Sequence, residues 1–223
     1  MKCNIVNRAK LFLNTCYTYL MKITDMKPQV RAQDRVSVFV NKKYSFSLSL
    51  SQVEKNPLKI GQEITDSELA KLKSQSDFGK TLDRVLRWLS TRPHSRYELE
   101  QYAYRKKIEP DSLSQIIKKL EGWGYLNDAE FARAFTASRK ASGRKSIRKI
   151  KLELRAKGVE QDIIDQALDD GKVDDRAVLK DLIEKKRQIP RYQEDKKIIE
   201  FLLRKGFNYQ DAREVLAEVD EEA

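Results

Sequence analysis

Cysteine, histidine, glycine and proline are all scarce in this 223-residue chain, at two, one, eight and five residues. Cys3 and Cys16 cannot form a disulfide framework, which fits a reducing compartment and a cytoplasmic location. The single histidine, His94, leaves no room for His-rich metal sites or His-dependent triads. Beside Pro93 and without a second ligand, it reads as a surface turn residue. So few glycines and prolines do not suit a loop-rich all-β protein. No run of 18 apolar residues exists, so no membrane span is expected. Residues 1–20 also lack the small-residue cleavage site of a signal peptide. They read as a poorly ordered extension or a start-site artefact, with Met21 a more ordinary start.

What the chain has in quantity is charge. Charged residues make up 35%, with 45 Lys and Arg against 34 Asp and Glu, a net charge of +11. Near the front, Val36, Val38, Val40, Tyr44, Phe46, Leu48 and Leu50 are apolar at even positions, a strand with one buried face. Asn41-Lys42-Lys43 interrupts the run, and Asn tolerates the left-handed backbone of a tight hairpin turn. Ser51 is expected to cap a short helix that Pro57 ends. Leu58 to Ile64 reads as a brief extended segment. Thr65 and Glu68 form a capping box that opens a further helix. A hairpin alone is marginal in water, so these helices must cover its apolar face.

The remainder is helical and repeats. Leu99, Ala103, Ile108, Leu113 and Ile117 recur 51 residues on as Ile150, Leu154, Val159, Ile164 and Leu168. A further 48 residues on they recur as Ile198, Leu202, Phe207, Ala212 and Leu216. Gly158 and Gly206 also coincide, each suited to the left-handed residue that ends a helix. Lys107 holds the same place in the first copy. Breaks at Pro93, Pro110, Gly122-Trp123-Gly124, Ser142-Gly143 and Pro190, and caps at Ser95, Asn127 and Ser146, give three helices per copy. The expected fold is mostly α: three tandem three-helix repeats behind a small N-terminal β-hairpin and helix domain. The domains are residues 1–20 (the extension), 21–76 (hairpin and helix), and repeats at 77–127, 128–174 and 175–223. Such an array offers a long surface to an extended partner.

Sites of chemistry are hard to find. Gly79-Lys80-Thr81 has Ser74 where a phosphate loop needs glycine, and no strand before it, so it reads as helix entry. Carboxylates alternate with Lys and Arg on exposed helix faces, as solvated pairs do. No nucleophile elbow or metal-ligand cluster is apparent. The reading is a non-enzyme with no cofactor.

Charge segregation is the strongest signal. From Ala129 to Gly158 ten bases face two acids, a net of +8 in 30 residues. The next 17 residues carry seven acids and one lysine, a net of −6. A basic field of that density attracts phosphates or an acidic protein groove. Arg139, Lys140, Arg144, Lys145, Arg148, Lys149, Lys151 and Arg155 are the candidate contact residues, with Arg139, Arg144 and Arg148 around the Gly143 turn. Tyr97, Tyr102 and Tyr104, beside Arg96, Arg105 and Lys106, are candidates for stacking or for packing under a neighbouring unit. Trp123 and Tyr125 read as an aromatic plug between the first two repeats.

Several of these segments together resemble the RecX family of regulatory proteins. Gly124-Tyr125-Leu126-Asn127-Asp128-Ala129-Glu130-Phe131-Ala132 is similar to the family's G-[LYW]-[LI]-[ND]-D-x-x-[FY]-A pattern. Ser138-Arg139, Gly143-Arg144 and Leu154 to Val159 follow in the family's order. Arg92 to Leu99 is similar to its R-x-x-S-x-x-E-L segment, and Arg35 to Ile64 to the N-terminal extension of longer members. Lys107 in place of the usual glycine and a divergent third repeat are the departures.

The resemblance implies a modulator of the RecA recombinase with a role in recombination, DNA repair and the SOS response. Such a protein binds RecA and its nucleoprotein filament and limits filament growth, ATP hydrolysis and strand exchange. The partners it implies are RecA and single- or double-stranded DNA, without a membrane, and the chain is expected to be a monomer. Two other readings stay open: a stand-alone helix-turn-helix-like DNA-binding protein, and a nuclease or ATPase cryptic in sequence.

Overall fold

The structure is a computed structural model that describes residues 20–30, 34–169 and 174–221. The extension expected over 1–20 lies outside them apart from Leu20, as do both cysteines. The chain divides into two compact units, Met1–Arg84 and Val85–Ala223.

The first unit holds β1 (Met21–Pro28), β2 (Arg35–Val40), β3 (Lys43–Ser49), α1 (Leu50–Lys55), β4 (Glu63–Ile64) and most of α2 (Asp66–Leu89). The strands form one antiparallel sheet in the order β3-β2-β1-β4. Asn41 and Lys42 both have positive φ, 49° and 64°, the geometry of a two-residue hairpin turn whose twist suits its strands. Val38, Val40, Phe46 and Leu48 are buried with Ile23, Ile64 and Leu72, so α2 closes the apolar face of the sheet.

Tyr44 and Leu50 break the expected alternation. Phe39 pairs with Tyr44 while Val38 pairs with Phe46, so Ser45 is an extra residue that changes the parity of the strand. Tyr44 is left exposed, edge-on to Phe39 at 6.0 Å, and Leu50 opens α1 in solvent. Strand β1 escaped the sequence pattern for a related reason. Its register shifts between Ile23 and Asp25, which breaks period two just where the alternation would show.

The cap of α1 is Ser49 rather than Ser51, in a reciprocal box with Gln52. Thr65 and Glu68 make the expected box at α2. Gly79-Lys80-Thr81 sits in the interior of α2, not at a helix entry. A Cβ on Gly79 would lie 2.8 Å from Gln52 Oε1, so glycine lets α1 come close. The continuous helix also runs through residues 76 and 77, where the first repeat was expected to begin.

The second unit begins with the last residues of α2. It continues with α3 (Arg96–Arg105), α4 (Pro110–Gly122), α5 (Asp128–Ala141), α6 (Ile147–Ala156), α7 (Gln161–Asp169), α8 (Asp175–Arg187), α9 (Asp195–Arg204) and α10 (Tyr209–Glu221). Ser95, Asn127 and Ser146 cap α3, α5 and α6, and Pro110 stands in the first turn of α4. Thirteen of the fifteen repeating apolar positions are buried; Ile108 and Leu113 are half-buried. Period and offset therefore placed the core, because these residues are the inward stripe of each helical triplet.

Successive triplets join in the same way twice. Ser95 Oγ, already accepting from the Glu98 N–H, donates to the Lys157 carbonyl at 2.7 Å. The Arg96 N–H donates to Asp128 Oδ1 at 2.8 Å. One triplet further on, the Ser146 N–H donates to the Lys205 carbonyl at 3.2 Å, and the Ile147 N–H to Asp175 Oδ1 at 3.1 Å. Gly158 (φ +73°) and Gly206 (φ +95°) sit at these contacts. A Cβ there would fall 2.3 Å from Tyr97 Cβ or 2.7 Å from Lys149 Cβ, so glycine answers both to its φ and to the close approach.

Candidate functional site

The basic segment occupies the end of α5, the Ser142–Ser146 turn and α6. Arg139 Nε donates to Glu153 Oε2 at 3.0 Å, and Lys145 pairs with the other oxygen of the same carboxylate. Burial raises the Glu153 pKa, but these two cations outweigh it and hold the carboxyl below its usual range. Lys151 Nζ lies 2.7 Å from Asp165 Oδ1 on α7. Arg155 donates to Gln161 Oε1 at 2.9 Å from Nε and 2.5 Å from Nη2. Lys140 Nζ reaches the Leu168 carbonyl at 3.5 Å, near the negative end of α7.

Arg144 and Arg148 are exposed, and Lys149 is half-buried with its stem against Gly206. Arg139, Lys145 and Lys151 are thus the three of these cations whose ion pairs run to Glu153 and Asp165. The first turn of α6 carries Arg148 and Lys149 and no acid, the reverse of what the helix dipole favours. The Asp175 carboxylate, which accepts from the Ile147 N–H, supplies the negative charge at that helix end instead.

A second feature was not legible in the charge count. A groove lined by Arg92, Phe131, Phe135, Ser138, Arg139 and Lys157 runs beside α5. The Arg139 guanidinium lies 4.6 Å from the Phe135 ring centre and Lys157 Nζ 5.6 Å from it. Glu98 accepts from Arg92 at 2.8 and 3.0 Å and from Lys157 at 2.5 Å. Burial alone would raise the Glu98 pKa; the hydrogen bonds from Arg92 and Lys157 overcome it and hold the group at about 2. The signal was present as Phe131 and Phe135 one turn apart, but their pairing with Arg92 and Lys157 is tertiary.

His94 is not a surface residue. It is 5% exposed, with its ring 3.6 Å centre to centre from Trp88, and Trp88 stacks on Tyr102 at 4.5 Å. Burial and the nearby Arg92 charge lower its pKa, so it is neutral at pH 7. Its Nδ1 lies 3.3 Å from Glu98 Oε2. Of the three tyrosines, Tyr102 belongs to this stack, Tyr97 packs on Gly158, and Tyr104 is 82% exposed. Trp123 and Tyr125 are not a plug either. They are 50% and 64% exposed and meet each other edge-to-face at 6.2 Å. Leu126, behind them, is the buried residue of that segment. The flanking glycines that suggested a joint serve the turn itself, with Gly124 at φ +74° and open space around it.

Family models match almost the whole of the described chain. The regulatory protein RecX N-terminal domain matches residues 21–65, and the first, second and third RecX three-helix domains match 82–125, 127–168 and 174–216. Regulatory protein RecX of Bacillus pumilus is 30% identical over 203 residues, covering 88% of this chain and 76% of that protein. The chain belongs to the RecX family. The Bacillus subtilis RecX is also 30% identical, over 84% of this chain and 73% of its own length. A crystal structure of regulatory protein RecX covers 91% of this chain and all of its own, with a TM-score of 0.69 at 23% identity. A crystal structure of RecX from Lactobacillus salivarius aligns over 65% of this chain and 97% of its own, with a TM-score of 0.55 at 28% identity. The three tandem three-helix domains and the small N-terminal strand domain are thus those of a RecX regulatory protein. Among the described residues no helix is long and apolar enough to cross a membrane.

Proposed function

We propose that this RecX protein binds the RecA recombinase and its single-stranded DNA filament and limits filament growth, ATP hydrolysis and strand exchange. It does so without catalysis of its own, as a cytoplasmic monomer. The carrying observation is the concentration of eight cations along the end of α5, the turn and α6, three of them paired with Glu153 or Asp165. That surface lies in the middle of three serially joined domains, where an elongated polyanionic partner is reached along the array. The residues proposed to make contact are Arg139, Lys140, Arg144, Lys145, Arg148, Lys149, Lys151 and Arg155. The division into an N-terminal domain followed by three three-helix repeats is part of the same proposal.

A RecA ATPase assay on single-stranded DNA tests it. The wild-type chain is expected to inhibit turnover, less so as salt is raised. Arg144→Glu, Arg148→Glu and Arg155→Glu together reverse three exposed charges outside the domain joints. The triple variant is expected to lose inhibition while keeping its helicity; full inhibition by it would sink the assignment. Tight duplex binding with base preference in the absence of RecA would favour a stand-alone DNA-binding protein instead.

A further inference from the structure

Helix α5 carries an apolar stripe that the fold leaves open. Phe131, Ala134, Phe135 and Ser138 are spaced as one helix face. Phe135 is only half-buried, and Ala134 is exposed. Three hollows join beside this stripe. Leu86, Leu89 and Tyr125 line the first; Leu89 and Tyr125 continue into the second, which reaches Phe131 and Ala134. Arg92, Pro93, Phe131 and Ala134 lead on into the third, which ends at Arg139 and Lys157. Between Glu130 and Arg139 this groove follows α5 for about 14 Å, the length of a partner helix of roughly two to three turns.

One end of the groove is cationic. Arg92 and Lys157 share Glu98, and Arg139 and Lys145 share Glu153, so four cations meet two carboxylates. Arg139 is prepared for a further acid. Its guanidinium lies 4.6 Å from the Phe135 ring centre, and its Nε donates to Glu153 at 3.0 Å. Those two contacts fix the guanidinium plane and leave both Nη groups as a fork. A planar fork of that kind matches a carboxylate bidentately. Towards the other end, beside Tyr125 and Asn127, the charged residue on the wall is Glu130, of opposite sign.

We propose that this groove docks an amphipathic helix of a protein partner, its apolar face on the floor and its acidic end at Arg139 and Lys157. An apolar stripe laid into a groove supplies affinity, and complementary charge at the ends sets direction. An acidic chain without apolar side chains leaves the floor empty. An apolar helix without acids leaves the Arg139 fork unpaired. This occupant needs neither RecA nor DNA, and of the eight basic contact residues named above only Arg139 lines the groove.

Fluorescence anisotropy of a labelled peptide, titrated with the full-length chain, tests this. The probe is a synthetic helical peptide of about 14 residues, with leucines every three or four positions and glutamates clustered at its N-terminal end. One control peptide replaces the leucines by serine, and another replaces the glutamates by lysine. The probe is expected to bind about tenfold more tightly than either control. Ala134→Arg fills the exposed floor while adding positive charge, and is expected to weaken binding about tenfold. Arg139→Lys keeps the charge and loses the fork, and is expected to weaken binding about threefold. No saturable binding of the probe, equal binding of the serine control, or unchanged or tighter binding by either variant overturns the proposal. Tighter binding by Ala134→Arg is what unspecific attraction between opposite charges predicts. Should a variant not fold by circular dichroism, the comparison of the three peptides on the wild-type chain decides.

Discussion

The two joints within the helical unit share a backbone plan and differ in charge. Both use a capping serine, an aspartate that accepts the next N–H, and a left-handed glycine under a neighbouring side chain. At the first joint Glu98 accepts from Lys157 across the contact. At the second, the residue 51 positions on is Lys149, a base where the first has an acid, and its stem packs on Gly206. The first joint is therefore pinned by an ion pair. The second contributes its lysine to the cationic surface of α6. Backbone complementarity is what the repeat preserves, and side-chain charge is free to differ from one joint to the next.

Glycine substitutions probe the shared plan most severely. Gly158→Ala meets Tyr97 Cβ at 2.3 Å in a left-handed backbone and is expected to cost about 3 kcal/mol in urea unfolding. Gly206→Ala meets Lys149 Cβ and Ser146 Oγ at 2.7 Å, with Lys149 Cα at 3.3 Å, and is expected to cost about 2 kcal/mol. Gly124→Ala, with open space around it, should cost only about 1 kcal/mol, from φ alone. Equal losses at all three would show that close approach is irrelevant and that the joints are looser than described.

Removing the pin sharpens the difference between the joints. Glu98→Gln is expected to lower stability by about 2 kcal/mol at pH 7, because Arg92 and Lys157 lose a shared charged acceptor. The Glu98 pKa is lowered on folding, so its contribution is present above its ordinary value of 4.5 and fades as pH falls through about 2. Wild type and variant should therefore converge in acid, which thermal melts between pH 6 and pH 2 would follow. A constant gap across that range would mean that the effect is not ionic.

Asp128 and Asp175 have the opposite sign. Burial raises both pKa values above 3.8, more than the hydrogen bonds from Arg96 and Ile147 lower them. Their folded forms bind protons more readily, so stability linked to them is full below 3.8 and is lost as pH rises through the raised values. Asp175→Asn keeps an acceptor for the Ile147 N–H and removes the buried charge. It is expected to raise stability at pH 7 by about 0.5–1 kcal/mol and to flatten the acid dependence of the second joint. A loss of stability at pH 7 would show that the charge itself holds the joint.

The smallest effect concerns the end of the series. Lys107 holds the place of Gly158 and Gly206 and takes the same left-handed conformation, φ +53°. No helical triplet precedes it, so only backbone strain argues for glycine there. Lys107→Gly is expected to stabilise the chain by roughly 0.5–1 kcal/mol in the same urea titration. Destabilisation would mean that the lysine side chain makes a contact that matters.

Much of this was legible in sequence, and the failures have physical causes. Periodicity placed the helices and their buried stripes, because a helix exposes its partners every three to four residues regardless of what it packs against. It failed at Tyr44 and at β1, where an inserted residue shifts the parity of a strand. Charge counting found the basic segment but not its tethers, since Glu153 and Asp165 lie 14 residues from Arg139 and Lys151. His94 is buried and Trp123 half-exposed, the opposite of what their neighbours in sequence suggest. A lone histidine beside proline looks exposed, and a tryptophan between glycines looks buried. Their true environments depend on Trp88, Tyr102 and the open Gly124 turn.

Sequence alone determined the local and the repeated: where helices start, which face turns inward, that a helical unit recurs, and that its middle copy is basic. Those properties follow from neighbours a few residues away and from simple addition of charge. Tertiary structure decided which residues meet across triplets: Glu98 with Lys157, Tyr97 with Gly158, and Lys149 with Gly206. Contacts between residues some 60 positions apart depend on the angle at which rigid helices pack. No local pattern carries that angle.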